Sequence, residues 1–365
     1  MTGAIADAGD RIGTAWDDLA AQAAEPNAFA ERWFVMAGVR HLPLPAPLRL
    51  VEVWEGDALI GLLPLTVEPR YGRMPVRHVA NWLHHHNFLG TPLVRRGRER
   101  DFWAAVLAEL DAAAWAPGLL HLNGLVEDGP VHRGLAAATG AIGRRCDVVH
   151  RLVRAQLDAG LAPEAYYEAN VRKKKRKELK RLAARLAEQG HVETRRLCDA
   201  AELMPWCEDF LALERSGWKG RAGSALGSRA DTAAFFCDML AGAHAAGRLD
   251  MLRIDLDGRA IAMLVNFLTP PGAFSFKIAF DEDHARFSPG VLVQIENLQL
   301  LVRGDIAWMD SCAAENHPMI DSLWGGRRPI VRVSVPLGGW RRRATFAIVR
   351  AAEDGWARLR RRGGR

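Results

Sequence analysis

Cysteine, tyrosine and lysine are all scarce in this chain, and each scarcity excludes something. The five cysteines (Cys146, Cys198, Cys207, Cys237 and Cys312) are odd in number, scattered, and form no CxxC pair. That usage excludes a disulfide-stapled scaffold and a cysteine zinc site, and it fits a reducing cytosol. No run of about 18 apolar residues occurs, so no transmembrane helix is expected. The opening residues, MTGAIADAGDR, lack a basic stretch followed by an apolar one. No signal peptide is therefore expected, and the expected location is the cytoplasm. His84, His85 and His86 are consecutive, would alternate faces on a strand, and have no carboxylate or thiol at helical spacing. No metal is expected. There are only three tyrosines, Tyr71, Tyr166 and Tyr167, and seven lysines against 42 arginines.

What is present points to a globular chain. Hydrophobic residues make up 49% and charged residues 25%, ordinary values for packed domains. A length of 365 residues suits two domains of roughly 150 to 200 residues. The net charge of +6 is unevenly spread: −3 over residues 1–150, +6 over 151–200, −4 over 201–340 and +7 over 341–365. The body is mildly acidic, which excludes a basic nucleic-acid-binding globule. Five of the seven lysines fall within 173–180, and the other two are Lys219 and Lys277. In a chain so biased to arginine, a lysine marks either chance or a use for a compact ammonium with a shiftable pKa.

One order of elements occurs twice. Residues 14–40 have helical spacing, broken at Pro26-Asn27, and a proline-rich linker spans His41 to Pro47. LRLVEVWEGDALIGLLPLTVE then reads as a hairpin turning at Glu55-Gly56-Asp57. A helix over 101–114, a short strand at Gly118–Leu122 and a helix over about 128–138 complete this half. About 201 residues after the first hairpin, RLDMLRIDLDGRAIAMLVNFLT repeats strand, Asp257-Gly258 turn, strand. A strand AFSFKIAF, a helix opening at Ser288-Pro289-Gly290, a strand DIAWMDSCA and a helix from His317 to Trp324 follow. Two copies at a near-constant offset predict a duplicated α/β domain. A long basic helix over 163–190 is predicted between them, with Leu179, Leu182 and Leu186 as its packing stripe.

A helix start offers unpaired N–H groups and the positive end of a dipole, which suit a phosphate. Pro289 loses nothing there, and Gly290 admits close approach to the backbone. Alone, the motif is equally a simple cap. The wider segments ERSGWKGRAGSAL (214–226), FKIAFDEDHARFSPGVLVQ (276–294) and DIAWMDSCAAENHPMIDSLW (305–324) resemble the CelD-like branch of the GNAT acyltransferase superfamily. The basic run RKKKRKELKRLAARLAEQG (172–190) resembles its linker helix, and HNFLGTPLV (86–94) is a weaker echo in the first half.

The resemblance implies an α/β fold of two tandem GNAT-like domains, each a mixed sheet flanked by helices, joined by the basic helix. The expected boundaries are a degenerate first domain at 1–160, the linker at 161–195, a catalytic domain at 196–340 and a basic tail at 341–365. It further implies that Ser288, Pro289, Gly290, Val291 and Leu292 form the turn that receives coenzyme A pyrophosphate. The fourth and fifth strands, Phe274–Phe280 and Ile306–Ser311, are then splayed, with the pantetheine arm on the exposed edge. Acyl-CoA is the expected co-substrate and an amine the acceptor, with attack on the thioester needing a base, an oxyanion donor and an acid for the thiolate. Family members often use a tyrosine as that acid, whereas the three tyrosines here precede the expected catalytic domain. Asp310, His317 and Lys277 are the candidates for proton transfer and substrate contact. Their structural alternatives are a turn cap, a surface histidine and a lysine paired with Asp281 or another carboxylate. Trp218 and Lys219, with His86 and Asn87 in the first half, are the candidate substrate contacts; plain packing is the alternative.

These expectations converge on an N-acyltransferase, with a lipid precursor as the favoured acceptor, as in bacterial ceramide synthases. Two basic segments then give peripheral contact with an anionic inner membrane. The alternatives are a FemX-type transferase using aminoacyl-tRNA and a non-catalytic exopolysaccharide-assembly protein. Nucleic acid is disfavoured because no aromatic residue lies between Tyr167 and Trp206 to stack on bases.

Overall fold

A computed structural model describes residues 2–4, 12–44 and 47–363. Most of the opening segment, residues 45 and 46 of the proline-rich linker and the end of the basic tail lie outside them. In chain order the elements begin with β1 (Thr2–Ala4), α1 (Gly13–Ala21), α2 (Arg32–His41), β2 (Arg49–Glu55), β3 (Ala58–Glu68), β4 (His78–Asn81) and β5 (Leu93–Val94). They continue with α3 (Glu99–Ala112), β6 (Leu119–Val126), α4 (Pro130–Ala141), β7 (Asp147–Asp158), α5 (Pro163–Asn170), α6 (Lys173–Ala187) and β8 (Val192–Arg196). The remainder is α7 (Leu203–Ser216), α8 (Trp218–Arg221), α9 (Ala230–Ala245), β9 (Leu249–Leu256), β10 (Arg259–Thr269), β11 (Gly272–Phe280), α10 (Pro289–Glu296), β12 (Trp308–Asp310), β13 (Gly326–Pro336) and α11 (Trp340–Gly363).

Both expected hairpins form. β2 pairs antiparallel with β3, and β9 with β10. The second turn places Asp257 and Gly258 at φ of +50° and +78°, the two left-handed residues of a type I′ connection, which matches the twist of the flanking strands.

Two compact units result, and they are not contiguous halves of the sequence. The first comprises residues 1–32, 44–152 and 329–365; the second comprises 33–43 and 153–328. Long-range packing accounts for the difference from the expected boundaries at 160, 195 and 340. β13 pairs with β6 over Ile330–Pro336, so the C-terminal segment completes the first unit's sheet. β7 pairs through Gln156–Asp158 with β12, so the end of the first half completes the second sheet. α2 belongs to the second unit because Trp33 and Phe34 pack edge-on against Phe267, and Phe34 also meets Phe235 and Phe276.

The sheet order in the first unit is β1-β2-β3-β4-β6-β13, with β5 beside β3; in the second it is β8-β9-β10-β11-β12-β7. In each, one parallel pair (β4 with β6, β11 with β12) sits among antiparallel ones. The first core gathers Val51, Ile60, Leu120, Leu122 and Val333 from strands beneath Phe102, Trp103 and Leu107 of α3. In the second, Leu186, Phe287 and Val293 cover Leu252, Ile254 and Leu264.

The long basic helix is interrupted. α5 ends at Asn170, whose amide donates to the Tyr166 carbonyl at 3.0 Å, and Val171 is extended with its side chain buried in a cluster with Tyr166 and Trp324. α6 then buries Leu179, Leu182 and Leu186, the predicted stripe. The strand expected over Ile306–Ser311 is confined to Trp308–Asp310, and only a 3-10 turn at Ile320–Ser322 stands where a helix from His317 to Trp324 was expected. The basic tail is not loose: α11 buries Phe346 and Val349 with Tyr71 and Leu119.

Candidate active site

The second unit's parallel pair is short. β11 pairs with β12 only at Gly272–Trp308, Ala273–Met309 and Phe274–Asp310, and then runs on to Phe280. Among the described residues no strand pairs with Ser275–Phe280 on that side. The ladder with β10 shifts register between Val265 and Asn266, opposite Lys277 and Ser275, so Phe276 stands in a bulge. Bulges re-aim side chains and free backbone groups from the ladder.

At the end of this strand the chain passes through a 3-10 turn (Glu282–Phe287) into α10. Ser288 takes the left-handed conformation, φ +56° and ψ +48°, at the cap. Its N–H donates to Ala285 O at 2.9 Å, and its carbonyl accepts the N–H groups of Val291 and Leu292 at 2.9 and 3.1 Å. Pro289 fills the first helical position without a lost donor. Gly290 has a packing use: a Cβ there would stand 3.1 Å from the Phe280 ring, so the helix start lies directly on β11.

Charged groups converge on the unpaired stretch of β11. Lys219 of α8 donates to the buried Glu214 carboxylate at 2.8 Å and to the Ile278 carbonyl at 3.3 Å, so it is not a solvated lysine. Glu214 also accepts the Leu226 N–H at 2.7 Å. Burial lowers the Lys277 ammonium to about 8; the Glu214 carboxylate opposes this and the Lys219 ammonium reinforces it. The carboxylate that acts on Lys277 is Glu214, while Asp281, the other carboxylate named in its structural alternative, caps its own turn and meets His284. Trp218 is 57% exposed, and its N–H donates to Glu282 at 2.6 Å.

Asp310 is fully buried at the end of β12. It lies 3.6 Å from the Arg154 guanidinium and 3.4 Å from that of Arg328, and accepts the Cys312 N–H at 2.8 Å. Arg328 stacks on Trp308 at 3.8 Å. His317 is half-buried, with a buried Nδ1 that has no hydrogen-bond partner. Burial pushes the Cys312 thiol well up.

Glu214, Arg154 and Arg328 were not singled out in the sequence. Glu214 stands five residues before Lys219, but the partners of Asp310 come from distant strands. Tyr166 and Tyr167 also belong to this second unit, contrary to their expected placement before it. Tyr166 accepts the Gly325 N–H at 2.9 Å, and burial raises both phenols. His86 and Asn87 lie in the first unit, where they stabilise their own loop. The His86 N–H donates to His84 Nδ1 at 3.2 Å, and Asn87 accepts the Leu89 N–H at 3.1 Å. Burial lowers His84 to about 3, and no metal-binding cluster occurs among the described residues. No helix of the described residues is long and apolar enough to cross a membrane.

Comparison with known proteins bears on the family and the fold. Residues 173–317 match the family model of the acetyltransferase (GNAT) domain. No curated protein sequence matches significantly. Among solved structures, FemX aligns with a TM-score of 0.58 at 10% identity, covering 87% of this chain and 95% of that one. A C-terminal domain assigned to lysylphosphatidylglycerol synthetase from Agrobacterium fabrum aligns at 0.54 and 13% identity, over 94% and 96%. A conserved protein of unknown function from Bacteroides thetaiotaomicron aligns at 0.54 and 10%, over 88% and 97%. At these identities the structural likeness speaks to fold. Residues 173–317 thus match a GNAT domain, and the structural likeness extends the resemblance in fold over most of the chain.

Proposed function

We propose that the chain transfers an acyl group from acyl-coenzyme A to an amine. The observation that carries this reading is the edge of β11 left without a partner strand from Ser275 to Phe280. An extended pantetheine arm fits such an edge by main-chain hydrogen bonding, as an added strand does. The Ser288–Leu292 turn stands at the end of that strand, where the positive end of the helix dipole suits the pyrophosphate.

The amine nitrogen attacks the thioester carbonyl carbon, the C–N bond forms, and the C–S bond breaks with the thiolate leaving. The backbone N–H groups around the Phe276 bulge are suited to the oxyanion. Lys277, held near 8, has a neutral fraction at neutral pH and is the group assigned to take the ammonium proton, with His317 as relay. Asp310, committed to two guanidiniums and a backbone N–H, serves as the anchor of β12. Trp218 and Lys219 are the assigned substrate contacts. A lipid-precursor amine remains the favoured acceptor, reached from an anionic membrane surface through the basic segments.

Ser288→Asp tests the reading. Aspartate tolerates the left-handed cap and favours the helix, while its carboxylate opposes a phosphate at the same place. Calorimetry is expected to show coenzyme A binding weakened at least tenfold with an unchanged melting temperature. Unchanged affinity, or retention of aminoacyl-tRNA instead of acyl-CoA in native mass spectra, overturns it.

A further inference from the structure

Helix α6 is built against its own electrostatics. Lys173, Arg176, Lys177 and Lys180 recur at i, i+3, i+4 and i+7, so four cations share one face. Like charges at these spacings repel by about 0.2–0.5 kcal/mol per pair. The first turn, where the dipole disfavours cations, has no acidic residue. The helix carries a single carboxylate, Glu178, displaced by about 100° from its nearest residue on that face. The ion pair from this face is Arg176 with Glu168 at 3.7 Å.

The cationic row borders a cavity of about 510 Å³ between α5, α6 and α10. Its apolar floor comes from Leu179 and Ala183 of α6 with Leu292 and Ile295 of α10, and Tyr167 of α5 also lines it. The acidic residues at the rim are Glu168 and Glu296, and burial pushes the Glu296 carboxyl up. Four cations thus face two carboxylates across a greasy floor. A free inorganic anion leaves that floor wet, and a neutral hydrocarbon leaves the lysine row repelling itself.

We infer that this groove binds a single-chain or diacyl anionic lipid, its acyl chain on the Leu179–Leu292–Ile295 floor and its phosphate on the Lys173–Lys180 row. The groove does not include the β11 edge and adjoins the Ser288–Leu292 turn only through Leu292, and the inference stands whether or not coenzyme A binds at that turn.

The probes are palmitoyl-lysophosphatidylglycerol, palmitoyl-lysophosphatidylcholine with the same chain, and glycerophosphoglycerol as head group alone, all titrated calorimetrically below micelle concentration. The wild type is expected to bind the first, the second at least tenfold more weakly, and the third not measurably. The triple variant Lys173→Gln, Lys177→Gln, Lys180→Gln and, separately, Ala183→Trp, which fills the floor from an exposed position, are each expected to lose at least tenfold. Coenzyme A titration of Ala183→Trp is expected to match the wild type, which separates failure here from failure of the donor site. Equal binding of both lysolipids, no binding by the wild type, or an Ala183→Trp variant that binds normally overturns the inference. So does a tRNA gel shift that the triple variant loses and Ala183→Trp keeps, which assigns the row to RNA.

Discussion

The two units share a sheet order and differ at the same place in it. In the first, β4 ends at Asn81, and the gap beside β6 is filled by the chain itself. The Asn81 amide donates to Gly90 O at 3.0 Å and Asn123 O at 2.9 Å and accepts the Asn123 N–H at 2.8 Å, while Gly90 N–H donates to Gly124 O at 2.9 Å. In the second, β11 continues six residues beyond its last pair with β12, and lysines and a glutamate gather there. The buried polar groups of the two parallel pairs also differ in kind. β6 carries His121, which accepts from Ser334 at 2.8 Å and donates to Asn123 at 3.1 Å, a neutral chain that burial keeps uncharged, with His121 lowered to about 3. β12 ends in the ionic group of Asp310, Arg154 and Arg328. A closed neutral gap holds a structure; an open charged one has the character of a binding site. This supports placing the chemistry in the second unit.

The largest expected effect lies at the charged gap. Asp310→Ala leaves two buried guanidiniums uncompensated and is expected to cost about 3–5 kcal/mol, read as a lower urea midpoint by tryptophan fluorescence. A cost below about 1 kcal/mol would mean that the group is solvated like a surface pair. At the closed gap, Asn81→Ala orphans two carbonyls and an N–H, with an expected cost of about 3 kcal/mol and no change in coenzyme A affinity. An Asn81→Ala variant that folds normally but loses coenzyme A binding would break the contrast between the units.

The sequence made the local parts of this contrast legible. Both hairpin turns, the SPG helix start and the leucine stripe of α6 are patterns within a few residues, and each sets backbone geometry directly. What it hid is long-range. Nothing near Ile330 announces that it pairs with Val126 of the other half, and nothing near Trp33 announces the Phe267 ring. Arg154 and Arg328 each read as one more arginine among 42 until the strands bring them to Asp310. Sequence position puts Tyr166 and Tyr167 before the second domain, whereas strand pairing places residues 153–328 together in the second unit. The filled gap of the first unit was invisible for the same reason: HNFLGTPLV echoes the other half's loop, but Asn81 and Asn123 close it.

Lys277 sharpens the comparison through pH, because the first unit has no equivalent buried cation at its gap among the described residues. Its folded value of about 8 lies below the 10.5 of an exposed lysine. Between those values the unfolded chain holds a proton that the folded one lacks, so stability rises with pH across that window. The cost of burying the ammonium is fully present below pH 8 and is gone above 10.5. Lys277→Met is therefore expected to be more stable than the wild type at pH 7, by about 3 kcal/mol, with the gain vanishing by pH 10.5. Urea midpoints across pH 7 to 10.5 that stay parallel for the two proteins would show that Lys277 titrates as if exposed.

The smallest effect compares two glycines that stand at the two gaps. At Gly90 a Cβ would run into the Asn123 carbonyl, a backbone atom held in the β6–β13 ladder, which has no room to give. At Gly290 a Cβ would stand 3.1 Å from Phe280 Cδ1 and 3.6 Å from Ile278 Cδ1, side-chain atoms that yield by a few tenths of an ångström. Alanine also recovers about 0.5–1 kcal/mol of backbone entropy in a helix, against a tight contact of similar size. Gly290→Ala is thus expected to change stability by less than about 1 kcal/mol, and the methyl, directed at β11, leaves the Ser288 turn and coenzyme A affinity within twofold. Thermal melts and calorimetry on both alanine variants read the difference directly. A Gly290→Ala protein that folds normally and loses coenzyme A binding would put the ligand against the strand face of the helix, between α10 and β11, where the present packing leaves it no space.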